Sequence, residues 1–138
     1  MKTLYRPVRE KEMLLIAESG FKSFPPRLEQ QPIFYPVLNE EYASEIAEKW
    51  NTTDPFGNFL GFVTKFSITK EEFRKYQIEN VGGNIHNELW VPSEDLDIFN
   101  SAIVGNIEVV KVYIGNEYQS SDSTIIEDLV GEIERIEK

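Results

Sequence analysis

The chain has 138 residues and a mass of 16.0 kDa, with 41% hydrophobic and 28% charged positions. That length suits one domain, and the apolar share excludes a wholly disordered chain. The absence of cysteine and the single histidine, His86, exclude a disulfide framework, a thiolate site and a multi-histidine metal centre, while the net charge of −10 argues against a broad nucleic-acid or anionic-membrane surface.

In chain order, Leu4-Tyr5-Arg6-Pro7-Val8 reads as a short strand, with Pro7 placing it near an edge or a strand end. Lys11 to Ser19 reads as a helix with Met13, Leu14, Ile16 and Ala17 on its apolar face and Gly20 closing it. The prolines of Phe24-Pro25-Pro26-Arg27 and Pro32 forbid a regular element there, so 24–32 is a loop. Ile33-Phe34-Tyr35 is a brief strand ended by Pro36. Asn39 then caps a helix over 40–50, with Tyr42, Ala43, Ile46, Ala47 and Trp50 on one face.

After turn-rich 51–57, the alternating residues 59–68 predict a strand. Thr69-Lys70-Glu71-Glu72 fits a capping box for a short helix, and 76–81 predicts another strand. Gly82-Gly83 is a turn; Glu88 to Val91 is a strand ended by Pro92; Ser93 caps a short helix to Asn100. Residues 107–114 form the last good strand. Short strands flanked by proline do not suit a doubly wound parallel sheet. The expectation is an α+β domain with a mixed, largely antiparallel sheet and short helices.

Charge divides the chain at Gly115-Asn116. Residues 1–115 and 116–138 each carry −5, so the last 23 residues are far more densely acidic. The expected organisation is a domain over 1–115, then an acidic linker and an amphipathic C-terminal helix over 116–138. Ile125, Ile126, Leu129, Val130, Ile133 and Ile136 supply that helix with an apolar stripe. It packs on the domain, on a second copy as a homodimer, or on another protein. The first 20 residues lack the apolar run of a signal peptide, and no window reaches the roughly 18 residues of a membrane span, so a cytoplasmic location is expected.

No P-loop, dinucleotide-binding glycine pattern or nucleophile elbow occurs. What remains lies near strand ends. Glu88 opens an apolar strand just after a turn, where a carboxylate can bind a sugar hydroxyl and stabilise an oxocarbenium-like transition state, or simply face water. His86, two residues earlier, can orient Glu88 or sit in the loop. Arg6 and Arg27 suit bidentate recognition of phosphate; otherwise Arg6 pairs with a nearby acid and Arg27 stays solvated. Tyr35 either stacks on a flat heterocycle or belongs to the core.

These residues carry a resemblance. The stretches Leu4–Val8 and Phe24-Pro25-Pro26-Arg27…Gln31–Ala43, with Gly61-Phe62-Val63-Thr64, His86–Pro92 and Phe99-Asn100…Ile103-Val104-Gly105, resemble a family of small bacterial proteins described as ADP-ribosylation/crystallin-type. The block order also resembles the ADP-ribosyltransferase-like fold, although that fold's Ser-Thr-Ser segment is missing. The resemblance implies that Tyr5, Arg6, Arg27, Tyr35 and His86 contact NAD as substrate. It implies a catalytic set of Arg6, Tyr35 and Glu88, with Glu88 at the ribose, no metal, and an unknown protein or other acceptor. Two alternatives stand beside this: a nucleotide-binding module without turnover, and an acidic, non-catalytic interaction or inhibitor protein.

Overall fold

The computed structural model describes residues 1–137. The chain is an α+β protein with two sheets and five α-helices among those residues. The strands are β1 (Lys2–Val8), β2 (Ile33–Phe34), β3 (Leu60–Ile68), β4 (Gln77–Asn80), β5 (Asn87–Pro92), β6 (Glu108–Ile114) and β7 (Glu134–Glu137). The helices are α1 (Glu10–Glu18), α2 (Glu40–Lys49), α3 (Lys70–Phe73), α4 (Leu96–Ser101) and α5 (Thr124–Glu132).

One sheet runs β1-β3-β6-β7 and the other β2-β5-β4. All pairings are antiparallel except β6 with β7, so the sheet is mixed and largely antiparallel. Val37 joins the two sheets, pairing with Tyr5 of β1 on one side and with Glu88 of β5 on the other. Its N–H donates to the Tyr5 carbonyl at 2.8 Å, and its carbonyl accepts from the Tyr5 N–H at 2.9 Å. Two residues on, Pro7 has no N–H to offer at that same edge, where among the described residues β1 pairs with Val37 at Tyr5 alone. The missing donor costs nothing there. Beyond Tyr5, β1 and the 33–37 segment part, and a cleft opens between them.

Strand β3 is central, and its first five residues, Leu60 to Thr64, are buried on both faces. On one face Leu4, Val8, Phe62 and Phe66 pack with Phe24, Phe34, Phe99, Met13 and Ile16. The rings of Phe24 and Phe66 lie 4.8 Å apart at an edge-on angle, a favoured arrangement. On the other face Val63 and Tyr113 meet Val37 and the Tyr42, Ala43 and Ala47 stripe of α2. Asn39 caps α2 as its sequence requires, its Oδ1 accepting the Tyr42 N–H at 2.7 Å. Trp50 departs from expectation. It stands at the C-terminus of α2, outside the buried stripe, and is exposed.

Two glycines let the turn after α2 lie against the sheet. A Cβ on Gly61 would stand 2.8 Å from the Asn51 Cβ, and one on Gly115 would stand 2.0 Å from the Thr52 carbonyl oxygen.

The C-terminal segment differs from expectation. Ser123 caps α5, accepting from the Ile126 N–H, and Ile126 and Val130 enter the main core. The helix stops at Glu132, and the chain then becomes β7, parallel to β6 over Lys111–Ile114. A continuous helix through Ile136 would leave the backbone groups on that edge of β6 without partners; the strand supplies them. Residues 116–137 thus complete the first sheet and the core, and Lys138 lies outside the described residues.

Candidate functional site

Strand alternation puts Leu4, Arg6 and Val8 on the core-facing side of β1, so Arg6 occupies a position that would ordinarily be apolar. It is 7% exposed. Its Nε and Nη2 donate to the two Glu12 oxygens of α1, at 2.7 and 3.0 Å. Burial opposes the charge, but the Glu12 carboxylate and its hydrogen bonds outweigh it and hold the Arg6 pKa above its usual value. The guanidinium lies 4.6 Å from the Phe34 ring centre and 6.0 Å from that of Tyr35.

Arg27 comes from the proline-rich loop. Phe24 anchors that loop in the core, and its backbone exchanges two hydrogen bonds with the Asn100 side chain, at 2.9 and 3.0 Å. Pro25 and Pro26 then fix the direction of the chain. The Arg27 guanidinium approaches the other part of the Phe34 environment, 5.9 Å from the ring centre. Its Nε is buried without a hydrogen-bond partner, and no carboxylate forms an ion pair with it among the described residues. Burial, together with the nearby Arg6 charge, lowers its pKa. The two guanidiniums share one aromatic ring, but Glu12 forms its ion pair with Arg6 and acts on Arg27 only from farther away.

These groups line a cleft of about 220 Å³ with Arg9, Gln31, Tyr35 and Asn51. The Asn51 Oδ1 is also buried without a partner. Arg9 donates to Asp54 at 2.7 Å, and that bond holds the Asp54 carboxyl below its usual range. In a chain of net charge −10, this wall is locally cationic.

The sequence-selected residues divide between two places. Arg6, Arg27 and Tyr35 converge on the cleft; Tyr35 is 42% exposed there. Tyr5, next along β1, faces the opposite way and packs with the α2 cluster. Glu88 does not line the cleft. Residues 33, 34 and 37 pair with 92, 91 and 88 in one unbroken register, which sets Tyr35 opposite Trp90. Tyr35, Glu88 and Trp90 therefore share one face of the second sheet.

Glu88 does not face water: it is 8% exposed. Its Oε2 accepts the Tyr42 hydroxyl at 2.6 Å and its Oε1 accepts the Trp90 indole N–H at 3.0 Å. Burial and the Glu88 carboxylate together push the Tyr42 phenol well up. His86 does not touch Glu88. Its Nδ1 accepts the Gly83 N–H at 2.8 Å, so the ring proton is on Nε2, which faces Glu45 at 3.1 Å. The imidazole packs on Tyr42, 4.8 Å between ring centres, and so supports Glu88 one residue removed.

Sequence reasoning missed Glu12, Asn51, Tyr42 and Trp90. Tyr42 had a signal, since a tyrosine on the buried face of a capped helix needs a hydroxyl partner. Among the described residues no three His, Asp or Glu side chains stand together to hold a metal ion, and no helix is long and apolar enough to cross a membrane. As arranged, the cleft offers guanidinium and amide groups to an anion, beside two aromatic rings. Comparison with family models, with curated proteins and with solved structures returns no match.

Proposed function

We propose that this chain is a binding module for a phosphate-bearing ligand of the nucleotide class, held in the cleft between β1 and the proline-rich loop. The observation that carries the reading is Arg27. A half-buried guanidinium, beside a second one and without an ion-pair partner among the described residues, is an arrangement that an anion at its terminal nitrogens would relieve. Glu12 already occupies one edge of Arg6, so the ligand's anion approaches Arg27 and the free edge of Arg6. Gln31 and Asn51 supply neutral polar contacts around it.

Calorimetric titration with ADP and with pyrophosphate tests this. A charge-assisted hydrogen bond is worth about 1.5–3 kcal/mol, so Arg27→Gln should weaken both ligands by roughly 10- to 150-fold. Absence of binding at millimolar concentration, or equal affinity in the variant, removes the reading.

A second reading adds turnover: an NAD-dependent ADP-ribosyltransferase in which Arg6 and Tyr35 hold the dinucleotide and Glu88 binds the ribose. It is favoured by the shared sheet face of Tyr35 and Glu88, linked through Trp90. This reading requires Tyr42 or Trp90 to release a Glu88 oxygen to the ribose hydroxyl. It predicts NAD hydrolysis or ADP-ribose transfer that Glu88→Gln lowers by orders of magnitude. NAD binding without any turnover in the unmodified protein leaves the binding module alone.

A further inference from the structure

A second cleft, of about 210 Å³, adjoins the first and shares Arg9, Glu12, Arg27 and Gln31 with it. Its character changes away from the shared residues. Leu15, Pro25, Pro26, Leu28 and Phe56 form an apolar shelf there. Phe56 is 94% exposed, and Leu28 is exposed beside it.

An isolated exposed apolar side chain needs no explanation. Phe56 is different because its turn is built to present it. Pro55 starts the 3-10 turn 55–57, and the Asp54 Oδ1 accepts the Phe56 N–H at 2.9 Å. The other Asp54 oxygen is held by Arg9, a residue lining both clefts. Asn58 then turns the chain back in the left-handed region, with φ of 55°. On the opposite side the shelf consists of two successive prolines, whose fixed φ leaves little to order on binding. The first cleft thus presents cations and the second a stiff apolar surface, joined through Arg27. Together the two volumes reach the lower part of the range of about 300–1,000 Å³ common for small-molecule sites.

We propose that the shelf carrying Phe56 receives the flat ring of the ligand whose anion meets Arg6 and Arg27, so that the site selects a nucleoside phosphate over an inorganic or sugar phosphate. This rests on the phosphate-site reading above and adds the side on which the ring lies. Phe56 contacts the base; Pro25, Pro26 and Leu28 support it; Tyr35, across the cation pair, does not select it.

The test compares ADP, ribose 5-phosphate and pyrophosphate on the full chain, on Phe56→Ala and on Tyr35→Ala. Base stacking on an aromatic side chain predicts that the unmodified protein prefers ADP to the two ligands without a base by about tenfold or more. Phe56→Ala should bring ADP down to their level, and Tyr35→Ala should keep the preference. Phe56 is exposed and outside the core, so its truncation should leave the fold intact, and an unchanged unfolding midpoint checks this. Pyrophosphate binding without an ADP preference, or a preference removed by Tyr35→Ala and not by Phe56→Ala, overturns this inference and leaves the phosphate site standing. Failure of all three ligands to bind overturns both.

Discussion

Three tyrosines donate their hydroxyl protons to glutamates: Tyr42 to Glu88 at 2.6 Å, Tyr118 to Glu127 at 2.7 Å, and Tyr76 to Glu72. In each case burial first, and the adjacent carboxylate second, raises the phenol pKa. The sign of the consequence follows from linkage. Unfolded tyrosines release their protons near pH 10, while the folded ones hold theirs. The stabilisation is therefore complete below pH 10 and is lost as pH rises above it. Urea unfolding at a series of pH values should show stability falling from about pH 10 upward; a flat profile to pH 11 would contradict the assignment. Tyr42→Phe should also cost about 1–3 kcal/mol at neutral pH, since it leaves a buried Glu88 oxygen without its donor. At this scale the sequence was partly legible. Arg6, Arg27 and Tyr35 were visible as residue types suited to an anion with a ring. Their convergence was not visible, because Glu12 and Asn51 reach the cleft through contacts that no spacing rule contains.

At the scale of elements, α2 was the most legible, because cap, apolar stripe and length agreed. The C-terminal segment shows where such reading ends. Its stripe from Ile125 to Ile136 has helical spacing throughout, yet the helix gives way after Glu132. Periodicity describes only the segment's own faces. It carries no information about the unpaired edge of β6, which claims residues 134–137 as a parallel strand. The tail is consequently part of the fold's stability. Ile126→Ala, at a fully buried core position, should lower the unfolding free energy by about 2–5 kcal/mol. Denaturation of the full chain, followed by tryptophan fluorescence and by circular dichroism, should show one transition at a lower midpoint. Loss of tail helicity at an unchanged main midpoint would mean that α5 is only laid on the surface.

At the scale of the molecule, net charge misdirects. A value of −10 describes a surface that repels anions on average, while the cleft gathers Arg6, Arg9 and Arg27 from its two sides. Composition could exclude thiol chemistry, but it could not reveal this local inversion, because charge counts have no geometry. The fold class was legible for a related reason: alternation and capping are local, and an α+β arrangement follows from their order along the chain. The joining of two sheets through the single residue Val37 was not, since it depends on strands 32 and 51 residues away. One consequence concerns how such a site can diverge. Asn51 lines it, and the turn that carries Asn51 and Thr52 lies against Gly61 of β3 and Gly115 just after β6, where a Cβ on either glycine would clash. The backbone on that side is fixed against the sheet, whereas the other bank, residues 25–31, carries exposed side chains on a backbone held by prolines, so ligand preference is most readily rewritten there.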